Sequence, residues 1–418
     1  MVLGTSSFFY FFQMLNNWPK VLMFIWESSH SPFVANVPIE VLPLSSTLDL
    51  HNNRLINSLT DFERFYGLVT VTACNFSAPA NVTYHWQVFH EGSRMHAFQT
   101  NTCHTTVHCI KDGSYTIQLS VTTPQGEVLR VGSRSFESRP LWMAIIGDSF
   151  ASGEGNPDVQ RKGNAKAHWI DERCHRSGKS FAAQVFADIQ KEKPQSYLTF
   201  LACAGATVEN GILKAKGRTS QLETLESVAT MRGRGPDVVI ITIGGNDIGF
   251  SDIINALVHD SSRIDISLMD MRFFFVSHQL DTVAERLKSI GAGNVFIPQY
   301  FDFTKNQYGE VDASCIASRE MSTSSMRFAE RGILRRLNML LLKKGIEHEW
   351  HVASTIPSLF ARRGICSSQS YIRTREESLA LQGNAVGAYH PNEEGHRAVA
   401  AEILKLLRRS GVVDPPLY

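Results

Sequence analysis

Three short stretches carry side chains that could perform nucleophilic chemistry. Ser149 lies in Gly147-Asp148-Ser149, directly after the apolar run Leu141 to Ile146, which reads as a buried strand. A serine at so sharp a strand end projects its hydroxyl from the sheet edge, where a substrate can reach it. Gly244-Gly-Asn-Asp247 also follows an apolar run, and His390-Pro-Asn392 stands just before the last helical stretch. A free hydroxyl is a poor nucleophile at neutral pH, so Ser149 needs a base to take its proton. Each fragment alone has a plainer reading. Gly-Asp-Ser is an ordinary turn after a core strand, Gly-Gly-Asn-Asp is a common loop, and His390 is one of fifteen histidines.

Taken in order, the fragments resemble the SGNH hydrolases, also called GDSL-type esterases and lipases. The first block matches as Gly147-Asp148-Ser149, and the second as Gly205 in Ala202-Cys-Ala-Gly-Ala-Thr207. The third matches as Gly244-Gly245-Asn246-Asp247, and the fifth as His390-Pro391-Asn392. The resemblance spans roughly Trp142 to Arg409. It implies a carboxylic ester hydrolase that works through an acyl-serine intermediate, with no metal or organic cofactor. Ser149 is then the nucleophile and His390 its base. The backbone N–H groups of Ser149 and Gly205 and the side-chain amide of Asn246 form the oxyanion hole. The family often places an aspartate three residues before the histidine; here that position is Gly387. In similar members a backbone carbonyl at that position orients the imidazole, so the Gly387 carbonyl is the expected orienter of a Ser–His dyad. Asp148 and Asp247 are expected to brace the loops, and His396 to pack or cap.

The same resemblance covers Cys174 and Cys203, which match segments joined by a disulfide in secreted actinobacterial members. Cys315 and Cys366 occupy two long loops and would tie them together; four reduced buried thiols are the alternative. His175 and Arg176 are then structural residues around the first staple. Substrates of the family include lipids, short acyl esters and acetylated sugars. Phe150, Ile248 and Phe250, near the site in sequence, lean toward an acyl group. A reading of another class, a non-catalytic glycan- or surface-binding protein that keeps the scaffold, is permitted by the missing aspartate. The intact Ser149, Gly205, Asn246 and His390 oppose it.

The elements that must position these residues alternate in type. Strands are expected at Trp142–Ile146, Tyr197–Ala202, Asp237–Ile243, Asn294–Pro298 and Glu349–Ala353. Between them run helical periodicities: Phe181, Val185 and Ile189; Leu280, Val283, Leu287 and Ile290, closed by Gly291; and Met326, Ala329, Ile333, Leu337 and Leu341. A last helix starts at Asn392 as N-cap and buries Val399, Ile403 and Leu406/Leu407. Such alternation argues for a parallel sheet covered on both faces. It matches the family's flavodoxin-like three-layer α/β/α sandwich with five parallel strands. Loops that come after strands gather at one sheet edge in this fold, which brings Ser149, Gly205 and Asn246 together. The segments Tyr300–Met321 and Ser354–Tyr389 should rim the same edge.

The 418 residues suggest two domains. A hydrophobic share of 43% and a charged share of 19% describe a globular chain, and a net charge of +1 supplies no field for nucleic acid. Residues 1–38 form a candidate leader. The apolar runs Phe8–Phe12 and Val21–Trp26 are too short to span a bilayer, Met14 is a candidate start, and cleavage would fall before Val37. Residues 39–138 alternate as a small all-β sandwich, in which Cys74, Trp86 and Asp112-Gly-Ser-Tyr115 resemble an immunoglobulin-like or PKD-like domain. Tyr115 would make a tyrosine corner. Ile117 stands where the second core cysteine of an immunoglobulin domain would be, so Cys74 pairs with Cys103 or Cys109, or stays free. This domain is expected to act as a spacer or to contact glycan or a surface. The hydrolase domain is expected over 139–411. Cysteine usage and the acceptor triplets at Asn75 and Asn81 point to secretion.

Overall fold

The structure, a computed structural model, describes residues 35–43, 55–56, 67–75, 77–193, 196–215, 219–250, 253, 266–315 and 321–413. The leader expected over 1–38 and its start at Met14 lie almost wholly outside them. The chain divides into two compact units. One comprises Thr70–Thr106 and Ser114–Phe136 with the described part of Met1–Val41; the other comprises the described parts of Leu42–Val69, Val107–Gly113 and Glu137–Tyr418. Among the described residues no helix is long and apolar enough to cross a membrane.

The N-terminal strands are β1 (Ala35–Asn36), β2 (Glu40–Pro43), β3 (Leu55–Ile56), β4 (Leu68–Thr72) and β5 (Thr83–His90). They continue with β6 (Ser93–Thr100), β7 (His104–His108), β8 (Gly113–Thr122) and β9 (Val128–Ser138). All but β3 form a five-stranded sheet in the order β1-β9-β8-β5-β6 and a three-stranded sheet in the order β2-β4-β7. The alternation in the sequence is the cause: Trp86 faces Leu119 and Val88 faces Ile117 across antiparallel β5 and β8, and all four are buried. The β5–β6 turn places Glu91 and Gly92 at positive φ, the geometry of a tight hairpin. Tyr115 is buried with its ring against His90 and Phe136. Of the open choices for Cys74, the structure takes Cys103. Cys109 is left as a buried thiol, its pKa pushed up to about 12 by burial.

Beyond Pro140 the expected alternation is present. Parallel strands β10 (Leu141–Gly147), β11 (Ser196–Phe200), β12 (Val238–Thr242), β13 (Asn294–Pro298) and β14 (His351–Ala353) lie in the order β14-β13-β12-β10-β11. Every residue of β11 and β12 is buried, as strands covered on both faces must be. This is the flavodoxin-like order, and it reverses direction at β10, so the loop carrying Ser149 leaves the sheet at its switch point. One element was not legible beforehand. The two residues of β3 add a sixth parallel strand beside β11, too short to leave any periodicity.

The helices used below are α1 (Ser149–Ser152), α2 (Phe181–Glu192), α3 (Gln221–Arg232) and α4 (Ile266–Ile290). They continue with α5 (Thr323–Phe328), α6 (Arg335–Glu347), α7 (Ile356–Phe360), α8 (Arg375–Gln382) and α9 (Glu393–Arg409). Helix α2 buries Phe181, Val185 and Ile189. Helix α4 begins earlier than its expected face, because Met269, Phe273 and Val276 extend the same series of buried residues. The helix expected from Met326 to Leu341 contains a π-helical segment at Ala329–Leu334. That wider turn lets the adjacent Ile333 and Leu334 both face inward. Asn392 caps α9 through Oδ1, which accepts the Gly395 N–H at 2.9 Å. Disulfides join Cys174 to Cys203 and Cys315 to Cys366.

Candidate active site

Strand β10 ends in a glycine because nothing larger fits. Gly147 has φ +133°, and a Cβ there would lie 2.4 Å from the Thr242 carbonyl oxygen. The chain then turns into α1, where Asp148 is the N-cap and its Oδ1 accepts the Phe150 N–H at 3.0 Å. The same oxygen accepts the Thr242 hydroxyl at 2.7 Å, and Oδ2 accepts the Tyr300 hydroxyl. Asp148 therefore braces the turn, as expected. The Tyr300 hydroxyl also accepts the Gly245 N–H at 3.2 Å, so one phenol links the Ser149 loop to the Asn246 loop. Burial, and next the adjacent Asp148 charge, push its pKa well above the ordinary value. Tyr300 therefore stays a donor to Asp148.

Ser149 is half-buried at the first residue of α1. Its carbonyl accepts the Gly153 and Glu154 N–H groups, each at 3.1 Å, which closes the turn beneath it. Its Oγ lies 2.8 Å from His390 Nε2 across 241 residues of sequence. The imidazole arrives from a loop pinned by backbone pairing: Arg373 N–H donates to the His390 carbonyl at 2.8 Å and Tyr389 N–H to the Arg373 carbonyl at 2.9 Å. Tyr389 has φ +64°, a left-handed conformation that turns the chain immediately before His390.

The carbonyl facing His390 Nδ1 is that of Ala388, at 3.2 Å, and not that of Gly387. The Gly387 carbonyl instead accepts the backbone N–H of His390 at 3.3 Å, closing a tight turn. The missing aspartate has a steric cause. A Cβ on Gly387 would come within 2.5 Å of Gly155 Cα, so that position admits no side chain.

Gly205 and Asn246 come after β11 and β12, the two neighbours of β10, and their loops are tied to each other. Asn246 Nδ2 donates to the Ala206 carbonyl at 2.8 Å, and Asp247 Oδ1 accepts the Val208 N–H at 2.8 Å. Burial, opposed by that hydrogen bond and reinforced by the Asp148 charge, raises the Asp247 carboxyl to about 6. Cys203 N–H donates to the Gly147 carbonyl at 3.0 Å, joining the Gly205 loop to the end of β10. Among the described residues the Ser149 and Gly205 N–H groups have no protein acceptor, and Asn246 keeps a second amide hydrogen. Three donors at the ends of adjacent strands suit a developing oxyanion.

His396 is fully buried, and its Nδ1 accepts the Phe181 N–H at 3.1 Å. Burial first, then the charges of His390 and Arg373, lower its pKa to about 3, so it stays neutral and structural. The unfolded chain takes up a proton below pH 6.5 that the folded chain refuses, so this histidine's stabilising contribution is lost as pH falls toward 3. In chemical denaturation, the stability advantage of the wild type over His396→Gln should shrink by up to about 1.4 kcal/mol per pH unit below 6.5. An advantage independent of pH would mean that folding leaves the His396 pKa unshifted, and an advantage that grows as pH falls would show a charged His396. Phe150 and Ile248 are core residues, each 1% exposed, so they offer no surface to an acyl chain. Phe150 packs on Phe181, Tyr300 and Phe301. Phe250 is partly buried against Phe303.

Several residues here escaped the reading of the sequence: Thr242, Tyr300, Arg373 and Glu154. Only Tyr300 was named beforehand, as the first residue of the long segment that comes after the fourth expected strand.

The GDSL-like Lipase/Acylhydrolase family model matches residues 145–398. The chain belongs to this family of ester hydrolases. A relative described as a lipase, from Streptomyces rimosus, is 25% identical over 256 residues, covering 60% of this chain and 80% of that protein. Phospholipase A1 from Streptomyces albidoflavus NA297 is 22% identical with a TM-score of 0.45, covering 65% of this chain and 99% of that one. The extracellular lipase of Streptomyces rimosus is likewise 22% identical with a TM-score of 0.45, covering 64% and 99%.

Proposed function

We propose that this chain is a secreted serine ester hydrolase in which Ser149 and His390 work as a dyad. The observation that carries the reading is the 2.8 Å approach of His390 Nε2 to Ser149 Oγ. His390 takes the Oγ proton as Ser149 attacks the ester carbonyl. The N–H groups of Ser149 and Gly205 and the Asn246 amide receive the negative oxygen. Collapse releases the alcohol, which leaves with the proton from Nε2, and a water activated by the same ring then hydrolyses the acyl-Ser149 ester. Nδ1–H, held by the Ala388 carbonyl, keeps the tautomer that leaves Nε2 free to accept.

The substrate class is a carboxylic ester of lipid, short acyl or acetylated-sugar type. Three disulfides support secretion. The proposed hydrolase domain runs over 139–411 and takes in the short strand β3 from earlier in the chain. The rest of 39–138 is proposed as an immunoglobulin- or PKD-like module that spaces the enzyme or meets glycan or a surface, in keeping with the alternation of β5 and β8. Incubation with a fluorophosphonate should give a covalent adduct on Ser149, located by peptide mass spectrometry. A folded protein that forms no adduct there removes the reading.

A further inference from the structure

Gly387 stands where an aspartate would support His390. A buried carboxylate lies beside that gap, on Glu154, the neighbour of the very Gly155 that excludes a side chain at 387. Its side chain is 0% exposed, and Oε2 lies 2.7 Å from His175 Nδ1. Its Oε1 accepts Gln382 Nε2 at 3.0 Å. Three loops meet through it. Glu154 N–H donates to the Ser149 carbonyl. Gln382 and Ser378 back onto Gly387, whose N–H donates to Ser378 Oγ at 3.0 Å. His175 stacks on Trp169 with centroids 4.6 Å apart and follows Cys174, which is bonded to Cys203 at the start of the Gly205 loop.

We infer that Glu154 is a positioning residue for the reaction proposed above: its buried negative charge stabilises the imidazolium of His390 in place of the absent aspartate, and its bonds to His175 and Gln382 hold the loop that presents the ring. The inference rests on that reading of Ser149 and His390.

The charges around the pair agree with it. Burial pushes the Glu154 carboxyl up. The bond from His175, the positive fields of His390 and His175, and the bond from Gln382 outweigh this and hold it below the usual carboxylate range. Glu154 is therefore an anion at neutral pH, and its field reaches the working ring. Arg373, bonded to the Gly155 carbonyl and to Asn156, acts in the opposite sense, with Glu377 and Glu393 tempering it. His396 is neutral there. On the far side, the bond to Glu154 raises the His175 imidazole above its ordinary range, against burial and with help from the Glu172 and Asp171 charges. In a site shielded from water such fields act more strongly than in solution.

The test is the pH profile of kcat/KM on a p-nitrophenyl ester for wild type, Glu154→Gln, Glu154→Asp and His175→Gln, with folding checked by melting. Removing the anion disfavours the imidazolium. In Glu154→Gln the acid limb should therefore move down by about one pH unit and the plateau fall about tenfold. Glu154→Asp keeps the charge and should leave the limb where wild type has it. His175→Gln removes the compensating cation, so its limb should move the opposite way, which keeps the test decisive if Glu154→Gln does not fold. An unmoved limb in folded Glu154→Gln or His175→Gln, or a uniform loss of rate without a shift, overturns the inference. Absence of a Ser149 adduct in wild type overturns the reading beneath it as well, whereas a labelled wild type with unmoved limbs removes Glu154 alone.

Discussion

Replacing Ser149 with alanine should lower kcat for ester hydrolysis by about 10⁶-fold, the scale on which a serine hydrolase loses activity with its nucleophile. The fold should be nearly untouched. The hydroxyl bonds to His390 alone among the described groups, and the turn is held by backbone and by Asp148, not by the serine side chain. A melting midpoint equivalent to within about 1 kcal/mol of wild type is expected. The two readouts together are discriminating. Activity that survives in Ser149→Ala places the nucleophile elsewhere, and activity lost together with the fold says nothing for the hydroxyl.

Asn246→Ala carries the next largest expected effect. Loss of one oxyanion donor typically removes about 2.7–4 kcal/mol of barrier stabilisation, a fall in kcat of about 10²–10³ with KM little changed. The variant also loses the bond to the Ala206 carbonyl, 2.8 Å in the wild type, at a stability cost of about 1 kcal/mol. That cost shifts the melt and leaves the ratio of kcat to KM effects alone. A drop in kcat smaller than tenfold would leave Asn246 as a loop brace, the role its Ala206 bond already fills.

Both effects come from residues that could be named before any fold was known. Repeating apolar runs announce the strands, and the strand order sets the loops after β10, β11 and β12 side by side along one edge. The Cys174–Cys203 and Cys315–Cys366 pairs were legible through the family resemblance and the two long loops, since cysteine spacing alone leaves reduced thiols open. Helix α4 was legible only in its second half. Its first turns mix buried Met269 and Phe273 with Phe274 and Phe275, which are 62% and 55% exposed, and a run of consecutive aromatics has no period to read.

The orienter of His390 shows where reading stops. The sequence states that residue 387 is glycine but not which carbonyl faces the ring. That choice depends on the left-handed turn at Tyr389 and on the pairing of Arg373 with His390. Glu154 is the sharper case. In the linear chain it is one acid between two glycines, indistinguishable from a solvated loop residue. In the folded chain it is buried between His175 and Gln382, brought from 21 and 228 residues away.

By itself the sequence determined the alternation of strand and helix, the identity of the chemical groups and their order, since these depend on local periodicity and residue type. Tertiary structure alone decided which groups touch, which carboxylates lose their water and which backbone oxygen meets the imidazole. Those are properties of distance and desolvation, and neither is written in any single stretch of chain.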